Sequence, residues 1–252
     1  MKAATDKLSP PGPVRLALEL RAPVEAAATL ALWPWLRQAP RGDGHSVLVL
    51  PGLAATDAST RLLRHYLRAQ GWAPHAWGQG RNLGPRPGVL EACVSQLRRL
   101  HSESGRRVSL VGWSLGGIYA RELAKRVPQA VRQVVSLGSP VGSPAGGRGH
   151  ASNARRIYEW VSGPRAYAPE LMARLNEPVP VPCTSIYSRS DGIVDWRASL
   201  QPTGPAAQNI RVPGSHNRMG ANPVVLRLLA ERLSQPEEAW QAHKGWSLCK
   251  VS

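Results

Sequence analysis

The sequence predicts an α/β fold with a mostly parallel central sheet flanked by helices. Three observations carry this expectation. From Val47 onward, short apolar runs of strand length alternate with longer runs at helical spacing, the order expected of a parallel sheet with crossover helices. A Gly-x-Ser-x-Gly sequence, Gly112 to Gly116, stands between one such strand and the helix that follows. The chain has 252 residues, enough to bury one substantial core, and no shift in composition marks a second domain.

Residues 1–13 are polar and proline-rich and read as a loose tail. Residues 14–40 read as helical and stop at the turn-forming cluster Ala39-Pro40-Arg41-Gly42-Asp43-Gly44. Residues 1–44 are therefore expected to form an N-terminal tail and packing helix. Its apolar stretch Ala26 to Leu36 is too short to span a bilayer and contains Pro34. Packing on the domain is the expectation there, with Trp33 and Trp35 leaving an interfacial patch open. Strands are expected at 47–50, 71–77, 108–111, 131–137, 183–187 and 209–212. Helices are expected at 60–70, 89–101, 118–127 and 223–233, with a short helical stretch at 196–200 and a C-terminal tail over 234–252. The connection between Leu137 and Cys183 is too long to be a simple link, so residues of about 140–180 are expected to form a helical, lid-like insertion. Tyr158, Trp160, Tyr167, Leu171 and Met172 would give it an apolar side that faces substrate or packs the insertion onto the body.

Ser114 is the centre of the chemistry. A sharp turn from strand to helix holds such a serine in a strained backbone conformation and exposes its hydroxyl, and glycines at 112 and 116 let neighbouring backbone pass closely. The same turn aims the amide of Leu115 at the oxygen of a bound carbonyl, where the helix N-terminus favours developing negative charge. A serine hydroxyl needs a base to take its proton and a carboxylate to orient that base. Asp191 follows the 183–187 strand, and His216 follows the 209–212 strand, giving the chain order Ser, Asp, His. Asp195, four residues on, competes with Asp191 and could instead cap the helical stretch after it. Of seven histidines, His216 alone has the right order and strand-end position: His65 and His101 lie in helical stretches, His75 in a strand, and His45, His150 and His243 in polar loops or tails.

These segments resemble the α/β-hydrolase-fold serine esterases and lipases, over roughly residues 45–233. The resemblance implies a catalytic triad of Ser114, Asp191 and His216. It also implies an oxyanion hole from the amides of Leu53 and Leu115, the former in the turn Leu50-Pro51-Gly52-Leu53, where Pro51-Gly52 replaces the histidine-glycine of many relatives. It does not reach residues 1–44, where many relatives open with a β-hairpin and a helix stands in here. The implied activity is cleavage of carboxylic esters through an acyl-enzyme, without metal or other cofactor. Thioesterase, amidase and acyltransferase chemistry remain open on the same residues, as does a non-catalytic hydrolase-fold protein that binds membranes or polyanions. Arg81 and Asn82, in a glycine-rich turn at a strand end, are expected either to hold the oxyanion loop or to meet a polar substrate group, and Trp113, Tyr158 and Trp160 to contact substrate.

The formal charge of +16 is carried by arginine in singles and pairs such as Arg98-Arg99 and Arg106-Arg107, with no basic block and no nucleic-acid module. Specific nucleic-acid recognition is therefore not expected. A small ester or lipid substrate is, together with peripheral contact with an anionic membrane. Three cysteines, Cys93, Cys183 and Cys249, without paired spacing exclude a disulfide framework or a zinc site. The basic start is not followed by an uninterrupted apolar core of signal-peptide length, and a cytoplasmic location is expected.

Overall fold

A computed structural model of the chain describes residues 11–141 and 177–245. Six strands, β1 (Ser46–Leu50), β2 (Ala73–Ala76), β3 (Val108–Trp113), β4 (Val131–Leu137), β5 (Cys183–Tyr187) and β6 (Ala207–Arg211), form one sheet in the order β2-β1-β3-β4-β5-β6. Every neighbouring pair is parallel. The inner strand β1 reads as an almost continuous apolar run because both its faces are covered, while the edge strands β2 and β6 carry polar residues and are only partly buried. In β1, Val47 and Val49 enter one core layer with α3 (Trp33–Leu36), α4 (Arg61–Ala69) and α7 (Pro223–Leu233), while Leu48 and Leu50 enter the other with α5 (Val89–Ser104) and α6 (Leu115–Arg126). That alternation is the period of two of a strand read out on opposite sides.

Element boundaries move by a few residues from the sequence expectation. The expected helix over 60–70 begins as a 3₁₀ turn at Asp57–Thr60, and the expected strand over 71–77 pairs only across Ala73–Ala76. The long helix expected over 14–40 is instead a chain of short ones: α1 (Pro13–Ala17), a 3₁₀ turn at Leu18–Arg21, α2 (Ala22–Ala31) and α3. Prolines 13, 23 and 34 each stand in the first turn of one of these pieces, where a missing amide is tolerated, and so divide the stretch. Trp33 stacks on His65 and Trp35 lies under the Arg227 guanidinium, so the part that carries the tryptophans packs on the domain. After α7 the chain returns onto it: Arg232 donates to the Gln241 carbonyl, and the His243 ring pairs with Glu231 at 2.6 Å. All but the ends of the lid-like insertion lies outside the described residues. Among the described residues, no helix is long and apolar enough to cross a membrane.

Candidate active site

The carboxyl ends of β1, β3, β5 and β6 converge, and each delivers one loop of the site, the usual place for ligands in such sheets. The turn after β3 holds Ser114 at φ +54°, ψ −121°, a conformation that non-glycine residues rarely keep without support. Support comes from its amide, which donates to the Leu137 carbonyl at 2.8 Å, and from the two motif glycines. A Cβ on Gly112 would collide with the backbone of Gly116, and one on Gly116 with the carbonyl of Leu50. Serine, helix start and oxyanion turn are thus packed backbone to backbone.

Ser114 Oγ lies 3.0 Å from His216 Nε2, and His216 Nδ1 lies 2.7 Å from Asp191 Oδ2. All three residues are buried. The other carboxylate oxygen of Asp191 accepts the amides of Ile193 and Val194 at 2.9 and 2.8 Å, which fixes the carboxylate plane. Burial works against a charge on His216, but the Asp191 carboxylate, with Glu19 beyond it, outweighs this and holds the imidazole pKa above its ordinary value. Asp195 makes a different set of contacts: its carboxylate caps the 3₁₀ turn Trp196–Ser199 by accepting the Arg197 amide at 2.8 Å. Of the two aspartates, only Asp191 meets the histidine.

Leu115 opens α6, so its amide has no acceptor within the helix, and both Leu53 and Leu115 are half-buried beside the serine turn. The turn bearing Leu53 is held from β2's side. Asn82 is fully buried, donates to the Pro51 carbonyl at 2.8 Å, and exchanges backbone hydrogen bonds with Ala54 and Ala55. Arg81 donates to the Ala54 carbonyl at 2.9 Å. Both side chains therefore hold the turn that bears Leu53, and for the buried Asn82, whose side-chain oxygen also accepts the Gly84 amide, this stands in place of the expected substrate contact. Trp113 braces the base: its indole donates to the His216 carbonyl at 3.0 Å, with the two rings 6.0 Å apart. It also lines a narrow crevice with Thr60, Leu63, Asn217 and Ala221. Tyr158 and Trp160 lie outside the described residues.

Sequence reasoning missed the N-terminal glutamates. Glu19 is buried, and its carboxylate accepts three backbone amides: Gly192 at 2.9 Å in the Asp191 loop, and His216 at 2.8 Å and Asn217 at 2.9 Å in the His216 loop. Glu25 accepts the Ser215 amide and hydroxyl, the latter at 2.6 Å, and pairs with Arg21, which in turn donates to Ser190 Oγ. Gly192, next to Asp191, leaves room for the N-terminal segment: a Cβ there would strike the carbonyl of Arg15. The one signal available beforehand was a pair of isolated acids in an otherwise apolar and basic stretch. Nothing local says that their partners lie 173 to 198 residues away.

The same architecture occurs in solved structures, at identities that speak to fold alone. A lipase B from Aspergillus fumigatus superposes with a TM-score of 0.58 at 17% identity, over 76% of this chain and 53% of that one, so this chain spans about half that lipase's length. The pyrethroid hydrolase PytH gives 0.54 at 18% identity, covering 78% of this chain and 100% of that one. A monoacylglycerol lipase from Paleococcus ferrophilus gives 0.54 at 16%, covering 78% and 96%. No curated protein matches the chain in sequence. Residues 47–248, from the first strand to beyond the last helix, match the alpha/beta hydrolase family, and the chain belongs to that family.

Proposed function

We propose that this protein hydrolyses carboxylic esters through an acyl-enzyme, with Ser114 as nucleophile, His216 as general base and acid, and Asp191 as the carboxylate that orients it. Family membership supports a hydrolase, and two of the three structural neighbours above are called lipases. The observation that carries the finer reading is the unbroken hydrogen-bonded series from Ser114 Oγ through both nitrogens of His216 to Asp191, set on a strained turn at a helix N-terminus.

The chemistry follows from that arrangement. His216 Nε2 takes the Ser114 proton as Oγ bonds to the ester carbonyl carbon, and the carbonyl electrons move to an oxyanion facing the amides of Leu53 and Leu115. Collapse breaks the carbon–oxygen bond to the alcohol, which leaves with the proton from His216. Water then gives a proton to His216 as its oxygen attacks the acyl carbon, and collapse breaks the bond to Ser114 Oγ, which takes the proton back from His216 as the acid leaves.

The test is covalent labelling by a fluorophosphonate, read by intact mass, on the wild type and on Ser114→Ala. One adduct on the wild type and none on the variant is the expected result; an unlabelled, folded wild type would overturn the reading. Turnover of p-nitrophenyl esters of increasing acyl length, set against thioester and amide analogues, then ranks the ester reading against its competitors.

A further inference from the structure

The family match begins at residue 47, yet the loops that carry Asp191 and His216 are tied down by residues that precede it. Among the described residues, the side-chain hydrogen bonds from residues 13–32 to the rest of the chain end on two segments, 190–192 and 215–221. Arg21 donates to Ser190 Oγ at 2.7 Å, Glu25 accepts the Ser215 amide, Glu19 accepts the amides of Gly192, His216 and Asn217, and Thr29 donates to the Ala221 carbonyl. The polar attachment of this stretch is thus an attachment to the Asp191 and His216 loops.

Around Glu19 the arrangement is tighter than three separate contacts. A single oxygen, Oε1, accepts both the Gly192 amide at 2.9 Å and the His216 amide at 2.8 Å, while Oε2 takes the Asn217 amide. Gly192 follows Asp191 in the chain, and Asp191 Oδ2 lies 2.7 Å from His216 Nδ1. The two loops are therefore joined twice, once through the side chains of Asp191 and His216 and once through their backbones at Glu19 Oε1. The second joint fixes the separation on which the first depends. A carboxylate suits this buried place, because three amide donors converge on its two oxygens and a charged acceptor strengthens each bond.

Given the proposed triad, we infer that Glu19 is a positioning residue for it, holding the Asp191 and His216 loops at the spacing their hydrogen bond requires. The N-terminal segment, outside the family match, serves the site through that carboxylate. Misplacing a reacting group by about 1 Å costs up to on the order of a hundredfold in rate, so loosening the joint acts on kcat.

A double-mutant cycle on ester turnover tests this, with two substitutions that open the joint from its two sides. Glu19→Gln keeps the side chain's shape and puts an amide group in place of the carboxylate. Gly192→Ala alters no polar group, but its Cβ would strike the Arg15 carbonyl and so push the N-terminal segment off the Asp191 loop. Each is expected to lower kcat about tenfold with KM held within about twofold, and the double variant to lose no more than about twentyfold, because both open one joint. Fluorophosphonate labelling of the wild type is read first. An unlabelled wild type fails the triad itself, whereas a labelled one with unchanged kcat in Glu19→Gln fails the positioning role alone. Multiplied losses of about a hundredfold in the double variant, or a raised KM with kcat kept, would also overturn that role. So would loss of fold in both single variants, seen by circular dichroism, since the carboxylate would then serve stability rather than position.

Discussion

Two serine–histidine–aspartate constellations stand at opposite ends of the sheet, and only one has the surroundings of a catalytic site. At the carboxyl ends are Ser114, His216 and Asp191. At the amino ends, His45 lies 2.5 Å from Asp43 through Nδ1 and 2.8 Å from Ser109 Oγ through Nε2, so by distance alone the second set is as well formed. The differences lie around it. Ser109 is fully buried within β3, at neither a turn nor a helix start, so no pair of free amides faces it. Asp43 is shared with Arg106 at 2.6 Å and Arg132 at 3.0 Å, and its charge is answered before His45 can draw on it. Burial, with Arg132 alongside, pushes the His45 pKa down to about 4 in spite of Asp43, whereas His216 is held up. What sets the Ser114 constellation apart is the strained turn, the helix start beside it and a carboxylate that, among the described residues, no arginine shares.

Serine replacement tests this contrast most directly. Ser114→Ala is expected to lower ester turnover by on the order of 10⁵, since residues acting as a unit lose nearly all their effect together. Ser109→Ala should leave kcat/KM within about twofold, because its serine reaches no solvent and no substrate. Comparable losses in both would remove the distinction.

The two histidines should also pull stability in opposite directions with pH. His45 has a folded pKa of about 4 against 6.5 unfolded. Its contribution is complete above the unfolded value and is lost as pH falls from 6.5 toward 4, by about 3 kcal/mol. His216, raised, contributes below its unfolded value and loses that contribution as pH rises through its folded pKa. Urea unfolding across this range should show a slope on the acid side that His45→Gln flattens and Ser109→Ala leaves in place.

Glu19→Gln probes what supports the proposed triad. The amide keeps the side chain's shape but presents a donor where Glu19 accepts the Asn217 amide, and it removes a charge that helps hold His216 up. Turnover should fall on the order of tenfold. His216 must be neutral to take the Ser114 proton, so activity rises with pH through its pKa, and losing the Glu19 charge should move that limb to lower pH. A side chain that merely packed the loops would lower kcat with the limb unmoved.

Legibility in the sequence divides along the same line. The serine turn is written in five consecutive residues, because a strand, two glycines and a helix start are local features, and the parallel sheet is announced by strand-length runs that alternate with helical ones. Asp191 and His216 were legible by chain order and strand-end position. What holds their loops was not. The three amides that Glu19 gathers, the contact of Arg15 with Gly192 and the bond from Trp113 to His216 are all tertiary, and each partner is unremarkable in its own segment. His45 stands in the loop expected of it, beside the polar Asp43 and the turn-forming Gly44, yet its ring is buried against β3 and β4, which nothing local announces.

The smallest effect separates two aspartates that the sequence could not rank by spacing alone. Asp195 caps a single 3₁₀ turn through the Arg197 amide and makes no contact with His216, so Asp195→Ala should cost about 1 kcal/mol of stability with little change in turnover. Asp191→Asn leaves a neutral amide against His216 Nδ1, where the wrong tautomer is favoured, and should lower kcat by on the order of 10⁴. The two measurements cross: Asp195→Ala moves the melting temperature and spares the rate, and Asp191→Asn moves the rate further than the melt. If Asp195→Ala instead removed activity while Asp191→Asn retained it, the carboxylate supporting His216 would have to come from the cap position, and the contrast with Asp43, which rests on Asp191 serving His216 with no arginine on it, would fail with it.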